Sequence, residues 1–176
     1  GVVWVRTRGE NQRGETVLSY VRWVMVHKKD SANPAPDVTA PDLPEAVAPS
    51  DLVVPAYGDW NSALAGSTWR YGDYEIGEKI DHVDGMTLEE SEHQIATRLY
   101  QNTAKVHFDQ VAANEGRFGK RLIYGGHIIS LARALSFNGL GNAFRIAAIN
   151  AGAHANPAFA GDTVFAWSEV LGKFEL

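Results

Sequence analysis

Six of the seven prolines in this 176-residue chain fall between Ser31 and Pro55: Pro34, Pro36, Pro41, Pro44, Pro49 and Pro55. Each fixes φ and removes a backbone donor, so neither a helix nor a central strand runs through them, and the spacing favours an extended, semi-rigid path. The chain therefore reads as three parts: residues 1–30, a proline-rich linker over 31–68, and a larger unit over 69–176. This length supports one ordinary domain, or one domain plus a fragment, not two full domains.

The first part reads as a β-hairpin. Val3 and Val5 lie in a short β-prone run, Thr16 to Val26 is rich in β-branched and aromatic residues, and Gly9 to Gly14 supplies the turn. A lone hairpin is marginal in water, so these strands call for a sheet that begins before Gly1 or belongs to another part of the assembly. In the third part, Tyr71 to Ile80 reads as a turn leading into a strand. Thr87 and Glu90 have the spacing of a capping box for a helix to about Tyr100, with Leu88, Ile95 and Leu99 on its apolar face and Glu92 interrupting it.

After Gly125-Gly126, Ile128, Leu131, Ala132 and Leu135 have the i, i+3, i+4, i+7 spacing. Ile129 and Ala134 extend the apolar surface around the helix, which predicts burial on most sides and an end at Asn138-Gly139. Phe144 to Ile149 and Thr163 to Val170 read as further strands. A buried apolar helix held by antiparallel strands makes an α+β architecture, and the last strand lies so near Leu176 that further strands are expected beyond it.

Composition narrows the function. A net charge of −5 opposes general nucleic-acid binding. No stretch has the length and apolarity of a membrane span, and the absence of Cys excludes disulfides and thiolate chemistry. Gly1 to Arg6 lacks the pattern of a secretory signal, which makes cytoplasm the default expectation.

The six histidines match no compact metal-ligand spacing. His27, His93 and His154 admit bland, solvated roles. His107 differs: it follows a helix and a polar turn and precedes a basic cluster, Arg117, Lys120 and Arg121. Imidazole exchanges a proton near neutral pH, and Asn102 or Asp109 would fix its tautomer or orient a water. Gly125-Gly126 admits two readings, close packing of a helix start or amides open to a developing oxyanion. His127 either points into the same space or packs. The basic cluster suits a phosphate-bearing ligand or is a solvated loop.

Val106-His107-Phe108-Asp109, Gly116 to Arg121, Gly125 to Ser130 and Phe159-Ala160-Gly161-Asp162-Thr163 together resemble the MaoC-like hydratases, hot-dog-fold enzymes that act on acyl-CoA thioesters. The resemblance extends through Arg22 to Val26, Ala96 to Ala104 and Leu135 to Leu140, and spans essentially the whole chain. It implies a sheet wrapped around the apolar helix, with one nearly complete hot-dog unit preceded by the terminal hairpin of another.

The resemblance also implies reversible water addition to an enoyl-CoA. His107 would act as base, Gly125 would hold the thioester oxyanion, and Arg117, Arg121 and Tyr124 would contact substrate. No metal and no cofactor are implied beyond the CoA of the substrate, and hot-dog units usually pair into homo-oligomers. In the wider group an Asp-x-Asn-Pro-x-His pattern places an acid where Asn102 stands here. Either an acid from elsewhere, such as Asp109, completes the proton transfer, or the mechanism is more asymmetric. A rival reading is a non-catalytic hot-dog fragment that serves assembly.

Overall fold

The alternation of β-branched and aromatic residues on both sides of a polar turn closes the N-terminal ribbon. In the computed structural model, β1 (Val2–Glu10) pairs antiparallel with β2 (Thr16–Met25), from Val2 opposite Met25 to Gly9 opposite Leu18, with a bulge at Gly9/Glu10. Asn11 organises the turn: its side-chain oxygen accepts from the Arg13 and Glu15 amides, and Gly14 takes φ +75°. Val17, Trp23 and Met25 are exposed on this two-stranded ribbon. The structure describes every residue except 35, 36, 38, 55 and 57, so Pro36 and Pro55 lie outside the described residues. Two compact units result, Gly1–Glu45 and Ala46–Leu176.

In the second unit, β3 (Lys79–Thr87) and β4 (Thr163–Glu169) pair antiparallel, interrupted by a bulge between Asp81 and Gly85. Val83 sits there at φ +64°, its amide donating to the Asp81 carboxylate at 2.8 Å. The bulge aims His82 inward until it is fully buried. Its Nδ1–H donates to the Asn138 carbonyl at 2.5 Å, and its Nε2 is 2.8 Å from the Ser168 hydroxyl on β4. Asn138 returns a bond to the His82 carbonyl at 3.0 Å. Gly139 follows at φ +97°, where a side chain would strike Ile80. The strand pair and the segment after the long helix are thereby tied together by one imidazole.

The helices are α1 (Glu90–Leu99), α2 (Gln110–Asn114), α3 (Gly125–Leu135) and the kinked α4 (Phe137–Leu140). Several expectations need correction. The Thr87 capping box does not form: α1 is entered through Glu89, and the Thr87 hydroxyl is taken by Thr163 across the sheet at 2.9 Å. Ile95 and Leu99 are 66% and 70% exposed, while His93 and Thr97 face the interior, because α1 packs through its i, i+4 polar pair. The apolar helix α3 is less enclosed than its pattern implied. Leu135 is buried but Ile129 is exposed, since a two-stranded sheet cannot surround it. It ends at Leu135, three residues before Asn138, and residues 144–149 form no strand.

Candidate active site

Three segments of the second unit converge at the start of α3. The segment 121–124 threads between two others: Leu122 N–H bonds to Val106 O at 3.0 Å, and Ile123 N–H to Ala158 O at 2.9 Å. The short 3-10 turn Lys105–His107 is clamped from α1 by Gln94, whose Nε2 donates to the His107 carbonyl at 2.9 Å. The Gly161-Asp162 corner that opens β4 is fixed in the same neighbourhood. Gly161 takes φ +94°, the Asp162 carboxylate accepts from Phe159 N–H at 2.8 Å, and Leu88 N–H bonds to Asp162 O.

His107 is half-buried, with its Nδ1 2.8 Å from the Leu122 carbonyl. A carbonyl only accepts, so Nδ1 carries a proton and Nε2 is the nitrogen left to act as a base. The ring lies edge-on to Tyr124, centroids 5.8 Å apart, which sets this base beside the residue that caps α3. Asn102 is also half-buried, and its Oδ1 accepts from Ala104 N–H at 2.9 Å, while its Nδ2 donors meet no acceptor among the described residues. Asp109 caps α2 by accepting from Ala112 N–H at 3.0 Å.

At the N-terminus of α3, the Tyr124 carbonyl accepts from His127 and Ile128. Among the described residues, the Gly125 and Gly126 amides meet no protein acceptor, so two unpaired N–H groups stand at the positive end of the helix dipole. A side chain at either position would have to displace a neighbour: a Cβ on Gly125 would run into the His154 ring, and one on Gly126 into the Tyr124 ring. A groove of about 290 Å³ runs between α1 and α3, lined by Ile95, Leu99, Tyr100, Tyr124, Gly126 and His127.

The basic residues part company. Arg121 is ion-paired to Glu90 on α1 at 2.5 Å. Arg117 is exposed over the Phe118 ring, and Lys120 stands 4.0 Å from the Phe159 ring centroid. Asn102, His107, Gly125 and Tyr124 thus lie on segments joined by hydrogen bonds, while Arg121 is held to α1 by Glu90 and Arg117 is exposed on the loop.

Sequence reasoning missed two residues. His93 is fully buried, and its Nε2 accepts the Tyr124 amide hydrogen at 2.8 Å. Burial above all, then the nearby His107 and His127 rings, pushes its pKa down to about 4, which keeps it neutral. The spacing of His93 and Thr97 was the available signal, masked by the apolar pair Ile95 and Leu99. His154 comes from the irregular segment after α4 and lies against Gly125, a placement no local pattern announces. Among the described residues, no His, Cys, Asp or Glu cluster is arranged to hold a metal, and no helix is long and apolar enough to cross a membrane.

The chain is 68% identical over 178 residues to mesaconyl-CoA hydratase from Cereibacter sphaeroides, an alignment covering 99% of this chain and 51% of that protein. It is 60% identical to beta-methylmalyl-CoA dehydratase from Chloroflexus aurantiacus, over all of this chain and 51% of that one. The chain thus spans about half the length of the curated relatives it matches. Among solved structures, it superposes on a MaoC domain protein dehydratase from Chloroflexus aurantiacus with TM-score 0.92 and 61% identity, covering 97% of this chain and 50% of that one. A monoamine oxidase regulatory protein from Archaeoglobus fulgius shares the fold at TM-score 0.51 and 23% identity, over 60% of this chain. No family model matches the chain. The fold is the α+β hot-dog arrangement of the MaoC-type dehydratases, as the sequence implied.

Proposed function

We propose that this chain is part of a MaoC-like enoyl-CoA hydratase that reversibly adds water to mesaconyl-CoA to give β-methylmalyl-CoA. The names and identity of its relatives support the substrate class. The observation that carries the chemistry is the His107 Nδ1–Leu122 carbonyl bond, which leaves Nε2 as the basic nitrogen beside a helix start with two open amides.

In the hydration direction, His107 Nε2 takes a proton from water as the oxygen bonds to the β-carbon. The C=C electrons shift toward the thioester, and negative charge gathers on its oxygen. The Gly125 amide, backed by Gly126 and the α3 dipole, holds that charge. The imidazolium then returns the proton to the α-carbon, so the net change is the addition of one water. The resemblance implies syn addition. Asn102 orients the water through Nδ2. It does not titrate, so His107 both takes and returns the proton.

Arg117, exposed over the Phe118 ring, is placed to meet a CoA phosphate, whereas Arg121 would have to exchange Glu90 for one. CoA enters as substrate, with no further cofactor. The protein works in the cytoplasm as a homo-oligomer built by pairing of hot-dog units.

The test follows the enoyl-thioester absorbance of mesaconyl-CoA with the whole protein and with His107→Ala. The expected result is turnover by the parent and a loss of about 10²–10⁴-fold in the variant, with CoA affinity kept. Faster turnover of a different enoyl-CoA would replace the substrate. Absence of turnover from a folded whole protein would overturn the enzyme reading in favour of an assembly role.

A further inference from the structure

Tyr124 is held through both its backbone groups. Its carbonyl belongs to α3, while its amide reaches across to α1, donating to His93 Nε2. The next two residues are glycines, which have no side chains to restrain them and would be the most mobile way to begin a helix. An imidazole from the neighbouring helix therefore fixes the residue on which the two open amides hang. The fit requires an unprotonated Nε2, since a doubly protonated ring would set N–H against N–H.

The surroundings supply that state. His93 has no solvent exposure, and the groups that act on it are His107 and His127, 6.3 and 6.0 Å away between ring centroids, with Glu90 and Arg121. Its Nδ1 is buried without a protein partner among the described residues, so the Tyr124 bond is the ring's single specific tie.

We propose that His93 is a positioning residue: as a neutral acceptor for the Tyr124 amide, it sets the α3 turn that presents the Gly125 and Gly126 amides to the thioester oxygen. For its catalytic readout, this rests on the hydration reading above. His93 touches no substrate in this scheme and acts through the turn alone.

The experiment compares His93→Leu, which removes the acceptor, with His93→Gln, whose Oε1 reaches toward the position of Nε2. Both are made in the whole protein, and Tyr124 amide hydrogen exchange, kcat, KM and thermal midpoint are measured. His93→Leu should accelerate Tyr124 exchange and lower kcat by about 10–100-fold with KM within about threefold, the pattern of a donor misaligned in the transition state. His93→Gln should restore most of both.

Unchanged Tyr124 exchange in His93→Leu would overturn the proposal. So would accelerated exchange at parental kcat, or a His93→Gln variant as slow as His93→Leu despite parental stability. If His93→Leu does not fold, His93→Asn takes its place: its amide is too short to reach Tyr124, and the same outcomes decide. A parent that hydrates no enoyl-CoA would defeat the hydration reading alone, because Tyr124 exchange reports on the positioning without turnover.

Discussion

Adding one methyl group at Gly125 separates the amide's orientation from its mere presence. Gly125→Ala keeps the N–H, but the new Cβ falls on the His154 ring. Either the ring moves or the turn rotates and carries the amide out of line. Tyr124 is anchored from both sides, yet the turn after it is built of glycine, so the strain is shared. Loss of one well-aimed oxyanion donor costs about 10²–10³ in kcat, roughly 3–4 kcal/mol. Gly125→Ala is therefore expected to fall by about 10²-fold, with little change in KM.

The obstacle is a single exposed ring on an irregular segment. His154→Ala should leave turnover near the parental rate, and the double substitution should recover to within about fivefold of it, a coupling of at least about 1.5 kcal/mol in the cycle. The assay is enoyl-thioester hydration by all four proteins. Parental activity in Gly125→Ala would show that the His154 ring yields to the new methyl, and would refute the expected misalignment of the Gly125 amide. Failure of His154→Ala to restore the double variant would refute the steric route.

Two further outcomes bear on stability. His82→Ala deletes a fully buried ring with partners on α4 and β4 and leaves the Asn138 carbonyl and Ser168 hydroxyl unsatisfied; a loss of about 3–5 kcal/mol is expected in denaturant titration, and a loss below about 1 kcal/mol would contradict the described geometry. His93 has a folded-state pKa of about 4, below its ordinary 6.5, so the unfolded chain takes up its proton first as pH falls. Its contribution, on the order of 3 kcal/mol, is fully present above pH 6.5 and is lost as pH falls toward 4; the decline should be flatter in His93→Gln when thermal midpoints are compared across that window.

Local rules made much of the architecture legible. The hairpin, the β3 and β4 strands and the α3 helix all follow from periodicity and turn residues. His107 and the glycine pair stand out because polar groups flank them in the sequence. Long-range pairing was not legible. Thr87 satisfied the local cap rule but is claimed by Thr163, far along the chain. The strand expected over 144–149 had suitable side chains but forms no ladder. His93 and His154 gain their places from helix packing and from a distant irregular segment, neither of which leaves a periodic trace. Burial of α3 was overestimated for a related reason: periodicity reports which residues could be covered, not how many strands are present to cover them.

The His82 ring spans two strands and the kinked segment after α3, with no redundant tie at either nitrogen. Opening the bulge around Val83 exposes the same ring whose release would free Asn138 and Ser168, so none of these parts gains by opening alone. The bulge, the α4 kink and the C-terminal end of β4 are therefore expected to open as one foldon, their amides exchanging together although His82 and Ser168 lie more than eighty residues apart in the chain.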